Sequence, residues 1–421
     1  MPPSSPLPVL DRVAGQRLLI NPSYLRDFRC IGPACEDDCC HGWDIPVDVQ
    51  TYRRFQAEAA PELSDELRRN VIVEPPHAVT DERFARMRPR PGGQCSFLNA
   101  ERLCSLQLAR GADYLSDTCL VYPRVSFVID DTVDRGLMLS CPEAARLALL
   151  DPAAMDPVES HEPDDARMNS IRVNLSRVDS NDPAQFSRLI RDRSIGLLRV
   201  QGVSLEARFL GLGMALRRLT DLPALDAGEV SQTFDLYQNS LTAVQQQLAE
   251  LSPRHSIQIE LVRELAAERL VRFGGLQRYL SCVDRMARGL QLAGNERAGA
   301  ESIERYSAAL ASHFDPYVAA RPWFFENMLV NHVYTSSFPF VVGRSMFEEF
   351  VLLVVLYALA KLHLVGVAAH EGRLDDGLAI EVVQSLHKAV SHDGKFLVRM
   401  LDLLRQNDVT GLAFMAILIV S

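Results

Sequence analysis

Eight of the nine cysteines in this 421-residue chain fall between Cys30 and Cys141, and the ninth, Cys282, stands alone. No other feature constrains the first third of the chain as strongly. The order is Cys30-x4-Cys35-x3-Cys39-Cys40, then Cys95-x8-Cys104, then Cys119 and Cys141. Disulfide frameworks belong to oxidising compartments. The opening residues, MPPSSPLPVLDRVAGQRLLI, lack the basic segment and apolar run of a secretory leader, so a cytoplasmic chain is expected. In a reducing compartment, clustered thiols with an adjacent pair point to metal. Thiolate is a soft ligand suited to iron–sulfur clusters or zinc. Four thiolates complete one 4Fe–4S cluster or one tetrahedral zinc, so eight allow two sites, or one site with buried thiols beside it.

The thiols sit in short elements broken by Pro and Gly. WDIPV is a short extended segment, and Asp48 is a helix N-cap for VQTYRRFQAEAA. CSFLNAERLCSL predicts a tight hairpin turning near Asn99 and Arg102, which brings Cys95 towards Cys104. RVSFVIDDTVDRGLMLSC predicts a second hairpin, with Val125, Phe127 and Ile129 alternating on one arm and Leu137 and Leu139 on the other. That arm delivers Cys141 to the start of a helix, where Pro142 suits the first position and Glu143 the first turn. A thiol at a helix N-terminus is expected to have a lowered pKa.

Hydrophobic residues make up 48% of the chain and charged residues 23%, enough for a normal core and against disorder. A net charge of −10 argues against nucleic acid as a partner, because phosphate contacts need a basic surface. The apolar run 350–364 is short for a membrane span and is interrupted by Lys361 and His363, so it predicts a core helix. GLAFMAILIVS is shorter still and is expected to dock on the core. Residues 151–168, rich in Pro, Asp and Glu, suggest a linker between a cysteine-rich metal-binding region, 1–150, and a helical domain, 169–421. In the latter, FDLYQNSLTAVQQQLAEL and the pairs Leu261–Val262, Leu265–Ala266 and Leu270–Val271 follow helical spacing. The expected fold is mainly α: a helical body with a metal-binding N-terminal region containing short β-hairpins.

The blocks FRCIGPACEDDCCHGWDIPVD, GGQCSFLNAERLCSLQ, GADYLSDTCLVYPR and LSCPEAARL resemble the flagellin lysine N-methylase family, which shares its cysteine arrangement with a wider class of zinc- or iron-chelating proteins. FFENMLVNHVYTSSFPF resembles that family's downstream helix. The resemblance implies methyl transfer from S-adenosylmethionine to lysine side chains of flagellin, by an enzyme holding an iron–sulfur cluster. By position it makes Cys30, Cys35, Cys39, Cys40, Cys95, Cys104, Cys119 and Cys141 the metal-ligand candidates. The first block is not the C-x3-C-x2-C of radical S-adenosylmethionine enzymes. Nor does a Gly-rich strand-to-helix turn mark a Rossmann methyltransferase, since GLGMAL at Gly211 lies in a helical pattern. The cofactor site is not legible as a motif.

Beside the thiols, His41 is a candidate ligand or hydrogen-bond donor, Trp43 a candidate apolar lid, and Tyr122 and Arg124 candidates for a carboxylate contact. The arginines of DERFARMRPRPGG suggest a solvated loop or a contact to an acidic partner. Asn327 and Asn331 share a helix face, with Glu326 beside it and Tyr334 or Thr335 a turn further. Lysine methylation needs a neutral amine aligned with the sulfonium methyl. Glu326, Asn327, Asn331 and Tyr334 are therefore the catalytic candidates, with Trp323, Phe324 and Phe325 as an apolar wall. A capping network on a core helix is the alternative reading of the same residues. A non-catalytic zinc or iron chelator and an iron–sulfur redox protein are the alternative functions.

Overall fold

The computed structural model describes residues 15–42, 44–129, 132–164, 166–167, 170–173, 183–270, 276–292, 298–341, 343, 345–392 and 394–421. The strands are β1 (Gln16–Pro22), β2 (Pro46–Val47), β3 (Val71–Val73), β4 (Ala85–Met87), β5 (Arg124–Ile129), β6 (Thr132–Leu137), β7 (Pro157–Pro163) and β8 (Ser170–Val173). The first third also holds helices α1 (Val49–Gln56), α2 (Pro61–Asn70), α3 (Ser105–Arg110), α4 (Asp117–Val121) and α5 (Pro142–Leu150). The helical body follows with α6 (Ser187–Leu198), α7 (Leu205–Asp221), α8 (Ala227–Ala249), α9 (His255–Leu270), α10 (Gln277–Gly289) and α11 (Ala300–Ala309). It ends with α12 (Asp315–Ala320), α13 (Trp323–Thr335), α14 (Met346–Glu371), α15 (Asp376–Val390), α16 (Gly394–Gln406) and α17 (Leu412–Val420). A π-helical turn, Leu310–Phe314, joins α11 to α12.

Local signals acted as the sequence suggests. Asp48 caps α1 by accepting the Thr51 N–H at 2.8 Å, and its other oxygen accepts the Asp117 N–H at 3.1 Å, so one carboxylate ties α1 to α4. The α1 helix stops at Gln56, short of the apolar end of its predicted run. The 95–104 turn closes through Asn99, whose amide oxygen accepts the Leu103 N–H at 2.8 Å, with Arg102 at φ 61°. The second hairpin pairs Arg124 with Leu137 and Ile129 with Thr132, burying Phe127, Leu137 and Leu139. Its tip, 130–131, and the Ile129 side chain lie outside the described residues.

Two sheets result. In the larger, the order is β7-β1-β6-β5-β8, with β1 parallel to β6 and β8 parallel to β5; the smaller is β2-β4-β3. The larger sheet crosses the boundary drawn in the sequence. Pro157–Pro163, inside the expected linker, is its edge strand, and Ser170–Val173 pairs with β5. Glu162 of that edge receives Arg17 at 2.8 Å and Arg135 at 2.7 Å.

Two cores underlie this layout. A small one, with Ile45, Val47, Phe55, Met87 and Phe97, belongs to residues 45–115. The large one runs from Tyr24, Leu137 and Ala145 through all the long helices. The α14 helix is its axis: its apolar window, the one stretch among the described residues long and apolar enough to cross a membrane, is 100% buried. It is the core helix that the sequence predicts. A Cβ on Gly289 of α10 would lie 2.2 Å from the Gly366 carbonyl of α14, so these helices touch backbone to backbone. The glycines of GLGMAL serve packing too: a Cβ on Gly213 would meet the Phe350 ring at 2.3 Å. The α17 helix docks as expected, burying Met415, Leu418 and Ile419.

Candidate metal centre

The eight N-terminal thiols are carried by turns and helix starts rather than by regular structure. Cys35 ends a 3-10 turn, Gly32–Ala34, and Cys39 and Cys40 follow in a tight turn. The Cys95 N–H donates to the Cys40 carbonyl at 2.7 Å, and Leu98 bridges to Cys104, so these two segments are clasped by backbone bonds. Cys104 is the N-cap of α3, Cys119 lies in α4 with its N–H on the Ser116 hydroxyl at 3.3 Å, and Cys141 is the N-cap of α5. None of the nine cysteines is in a disulfide.

Charge acts between thiols of separate segments. Cys40 feels Cys39, Cys95 and Cys119, and Cys119 also feels Cys104. Cys141 feels Cys35 and Cys39, and Cys35 feels Cys30. The thiols of Cys39 and Cys40 are hydrogen-bonded to each other. The pair gives up its first proton readily, which lowers Cys39 with help from Lys388, and then resists losing the second, which raises Cys40. Burial pushes Cys95 up to about 11, and Cys119 and Cys141 up to about 12. For Cys141 this overturns the expected lowering: the N–H groups of Glu143 and Ala144 do stabilise its thiolate, but desolvation outweighs them. Among the described residues, no group of three or more His, Cys, Asp or Glu side chains stands as a closed sphere for a single ion. The donor chemistry suits a soft metal group, but a ready-made mononuclear site is not shown.

Residues beside the thiols are mostly structural. His41 Nε2 pairs with the Gly92 carbonyl at 2.8 Å, and Tyr122 Oη with Ser140 Oγ at 3.0 Å. Arg124 lies over the Phe28 ring at 5.0 Å. Trp43 lies outside the described residues. In the arginine loop, Arg83 pairs with Asp44 and Glu74, and Arg88 and Arg90 donate to the Arg69 and Ser96 carbonyls. Cys282 is apart from the other thiols, receiving Ser385 Oγ at 3.3 Å and Arg285 Nη2 at 3.4 Å.

The polar residues of α13 do come together, but they face the fold. Asn327 donates to the Ala148 and Asp151 carbonyls at 2.9 Å each, closing the C-terminal end of α5. Asn331 Nδ2 donates to the Leu137 carbonyl at 3.1 Å, and its Oδ1 accepts the Tyr24 hydroxyl at 2.6 Å. Tyr24 Oη in turn accepts the Leu137 N–H at 2.8 Å. Glu326 receives Arg208, Thr335 donates to the Asn331 carbonyl, and Tyr334 is buried, with the Arg191 guanidinium 5.7 Å from its ring centroid. Phe324 and Phe325 belong to the core, against Tyr317, Phe314 and Tyr357. Asn331→Ala should therefore lower stability by about 1–3 kcal/mol, because it strands the Tyr24 hydroxyl and the Leu137 carbonyl in the interior. Urea denaturation measures this, and a variant as stable as the parent would contradict it.

Residues 191–418, more than half of the chain, match the FliB lysine N-methylase C-terminal domain. The chain belongs to the FliB lysine N-methylase family. The matched part runs from α6 to α17, the helical body. Similarity to full-length relatives extends further. Two proteins named Lysine-N-methylase, from Salmonella choleraesuis (strain SC-B67) and Salmonella typhimurium (strain LT2), are each 25% identical over 391 residues, 89% of this chain and 92% of theirs. The flagellar biosynthetic protein FliU of Salmonella muenchen is 33% identical over 135 residues, 32% of this chain and 78% of its own length. No solved structure matches the chain.

In this FliB-family chain the cysteine loop is keyed to the helical body by groups that the sequence reading missed. Lys388 of α15 donates to both oxygens of Asp37 at 2.9 Å and to the Asp38 carbonyl at 2.7 Å. Gln384 donates to Asp37 Oδ2 at 2.9 Å and to the Ser140 carbonyl at 2.8 Å, and His392 Nε2 pairs with Ser140 Oγ at 3.0 Å. The ion pair holds the Asp37 carboxyl below its usual range against the opposing effect of burial. Asp37 sits in CEDDCC, and an acidic pair between thiols is the one sequence hint of this junction; nothing local marks its partner, 351 residues away. Between the loop and the body lies a cavity of about 300 Å³ lined by Glu36, Asp37, Asp38, Tyr279 and Lys388 among others.

Proposed function

We propose that this chain transfers methyl groups from S-adenosylmethionine to lysine side chains of flagellin and holds an iron–sulfur cluster with its N-terminal thiols. The observation that carries the reading is similarity along 89% of the chain to proteins named Lysine-N-methylase. The flagellar substrate draws support from the relative named as a flagellar biosynthetic protein. The iron–sulfur group draws support from the donor set: Cys39, Cys40, Cys95, Cys104 and Cys119 within electrostatic reach of one another, with Cys30, Cys35 and Cys141 alongside. Cys35, Cys40, Cys95, Cys104, Cys119 and Cys141 are shifted towards the protonated form, so loading the cluster releases protons and is pH-dependent.

The methyl donor supplies an electrophilic methyl group when bound. The chain's part is to orient the amine, keep it neutral and exclude water. We place that work at the cysteine junction rather than on α13. The polar atoms of α13 are engaged with backbone and Arg208, whereas the junction offers a cavity beside the thiols, lined by His41, Tyr279, Asp38 and the Lys388–Asp37 ion pair. The protein, purified without oxygen, should contain iron and acid-labile sulfide and should label flagellin lysines from methyl-labelled S-adenosylmethionine. Zinc without sulfide would overturn the cluster, and unlabelled flagellin the methyl transfer. Cys119→Ser should lower metal content while Cys282→Ser leaves it unchanged; metal loss from the Cys282 variant would break the assignment of ligands to the N-terminal set.

A further inference from the structure

The N-terminal thiols are seated on two different cores. Cys40, Cys95, Cys104 and Cys119 pack with the small core, whereas Cys141 packs against the large one. Residues 36–42, which carry Cys39 and Cys40, belong to the N-terminal region in sequence but rest on the helical body. Arg146 of α5 pairs with the Glu36 carboxylate, and Arg278 of α10 donates to the Glu36 carbonyl at 3.4 Å. A Cβ on Gly42 would lie 2.5 Å from the Leu276 side chain, so the far end of the segment lies directly on the residue before α10. At its centre are Gln384 and Lys388, one turn apart on α15. The Lys388 ammonium spends its three bonds on Asp37 Oδ1, Asp37 Oδ2 and the Asp38 carbonyl, and its side chain is 8% exposed. The Gln384 amide spans Asp37 and the carbonyl of Ser140, the residue before Cys141. Asp38 Oδ1 accepts the Cys40 N–H at 3.1 Å. Hydrogen bonds therefore run from one face of α15 to the backbone at Cys40 in one direction and to the backbone beside Cys141 in the other.

A buried ion pair adds little net stability, because desolvation offsets the attraction, and its best-attested use is to fix register. Register is what a metal centre needs. Metal–ligand distances tolerate about 0.2 Å, so thiols carried on two separately packed cores share a metal group only where the cores are held at one spacing. Neither core sets that spacing alone. Side chains on α15 that grip both thiol-bearing segments do. They lie inside the matched family domain, 191–418, which contains none of the eight N-terminal thiols.

We propose that Lys388 and Gln384 are positioning residues of the metal centre: they hold the Cys39–Cys40 turn against the Cys141 end of α5, so that thiols of both cores bind one metal group and its loading locks the small core to the helical body. This rests on the reading that the N-terminal thiols hold metal, and it applies to an iron–sulfur cluster and to zinc alike.

The test crosses substitution with metal removal. The full chain, purified without oxygen, is compared with Lys388→Met and with the double variant Asp37→Asn, Lys388→Met, which leaves no stranded carboxylate. Iron, zinc and sulfide are measured, metal retention is followed against graded chelator, and loaded and stripped proteins are melted. Both variants should give up metal at about 10–100-fold lower chelator concentration than the parent, the range for groups that orient metal ligands. Metal should raise the melting temperature of the parent by more than that of either variant, because a contact that strengthens metal binding is strengthened by it in return. Equal retention in all three proteins, with melting lowered alike in loaded and stripped forms, makes the ion pair a plain staple between cores and overturns the proposal while the metal reading stands. Parental retention in the double variant alone also overturns it, because the loss in Lys388→Met then came from a stranded Asp37. A parent chain without metal overturns the metal reading and the proposal with it, and is recognised before any variant is compared.

Discussion

Glu326→Ala should destabilise the fold by about 3–5 kcal/mol, the usual consequence of removing one partner of a buried ion pair. The carboxylate accepts Arg208 Nη1 at 2.6 Å, and both residues are nearly closed to water, at 9% and 7% exposure. Arg208 Nη1 also donates to the Leu198 carbonyl at 2.5 Å, and Arg199 approaches Glu326 at 3.7 Å from outside. Deleting the carboxylate leaves a guanidinium that can neither reach water nor give up its charge. The double variant Glu326→Ala, Arg208→Met should recover much of the loss, because it removes the stranded charge with its partner. Denaturant titration of the single and double variants measures both steps. A single variant with parental stability and lost turnover would take Glu326 out of the frame and return it to the chemistry.

This pair marks where sequence reasoning reached its limit. The i, i+4 spacing of Asn327 and Asn331 correctly put two amides on one face, and Glu326 beside them. Spacing does not say what that face meets. Here it meets β6 and the end of α5, whose unpaired carbonyls need donors. Local chemistry was legible because it is local: the Asp48 cap, Pro142 at the start of α5, the Asn99 turn and both hairpins rest on neighbours a few residues apart. The α14 core helix was legible from length and charge. The larger sheet was not. Its edge strand β7 is half-exposed on both faces, so PVESHEP lacks the apolar alternation of a strand, and Arg17 and Arg135 hold its Glu162 from far away in sequence. The thiol ionisation was not legible either, because the helix terminus at Cys141 is visible in sequence and its burial is not. Likewise CEDDCC advertises chelation, while the lysine that fixes its first aspartate lies on α15.

Acidification should unload stability through a different set of buried groups, the histidines. His363 is 0% exposed on α14, with Nδ1 on the Leu359 carbonyl at 2.7 Å and its ring stacked on Tyr279. Burial lowers it from 6.5 to about 4. His387 on α15 is lowered to about 3 by burial first and then by His332 and His392 beside it. Both are bases whose folded pKa lies below the unfolded one. Their stabilising effect is therefore complete above pH 6.5 and shrinks as pH falls, because only the unfolded chain takes up the protons. At 1.36 kcal/mol per pH unit, each loses about 3 kcal/mol between pH 6.5 and 4. The paired carboxylates act in a lower window: Asp37 and Glu162 are held below their usual range, so their contribution fades only as pH drops through the carboxylate range and beneath it. Urea midpoints at pH 7, 6, 5 and 4.5 should fall steadily from pH 6.5 downward. His387→Gln should flatten that slope, since glutamine keeps a polar group near Ser391 and cannot take a proton. A midpoint that holds constant to pH 4.5 would mean that His363 and His387 become protonated without unfolding, and that their surroundings are wetter than their packing implies.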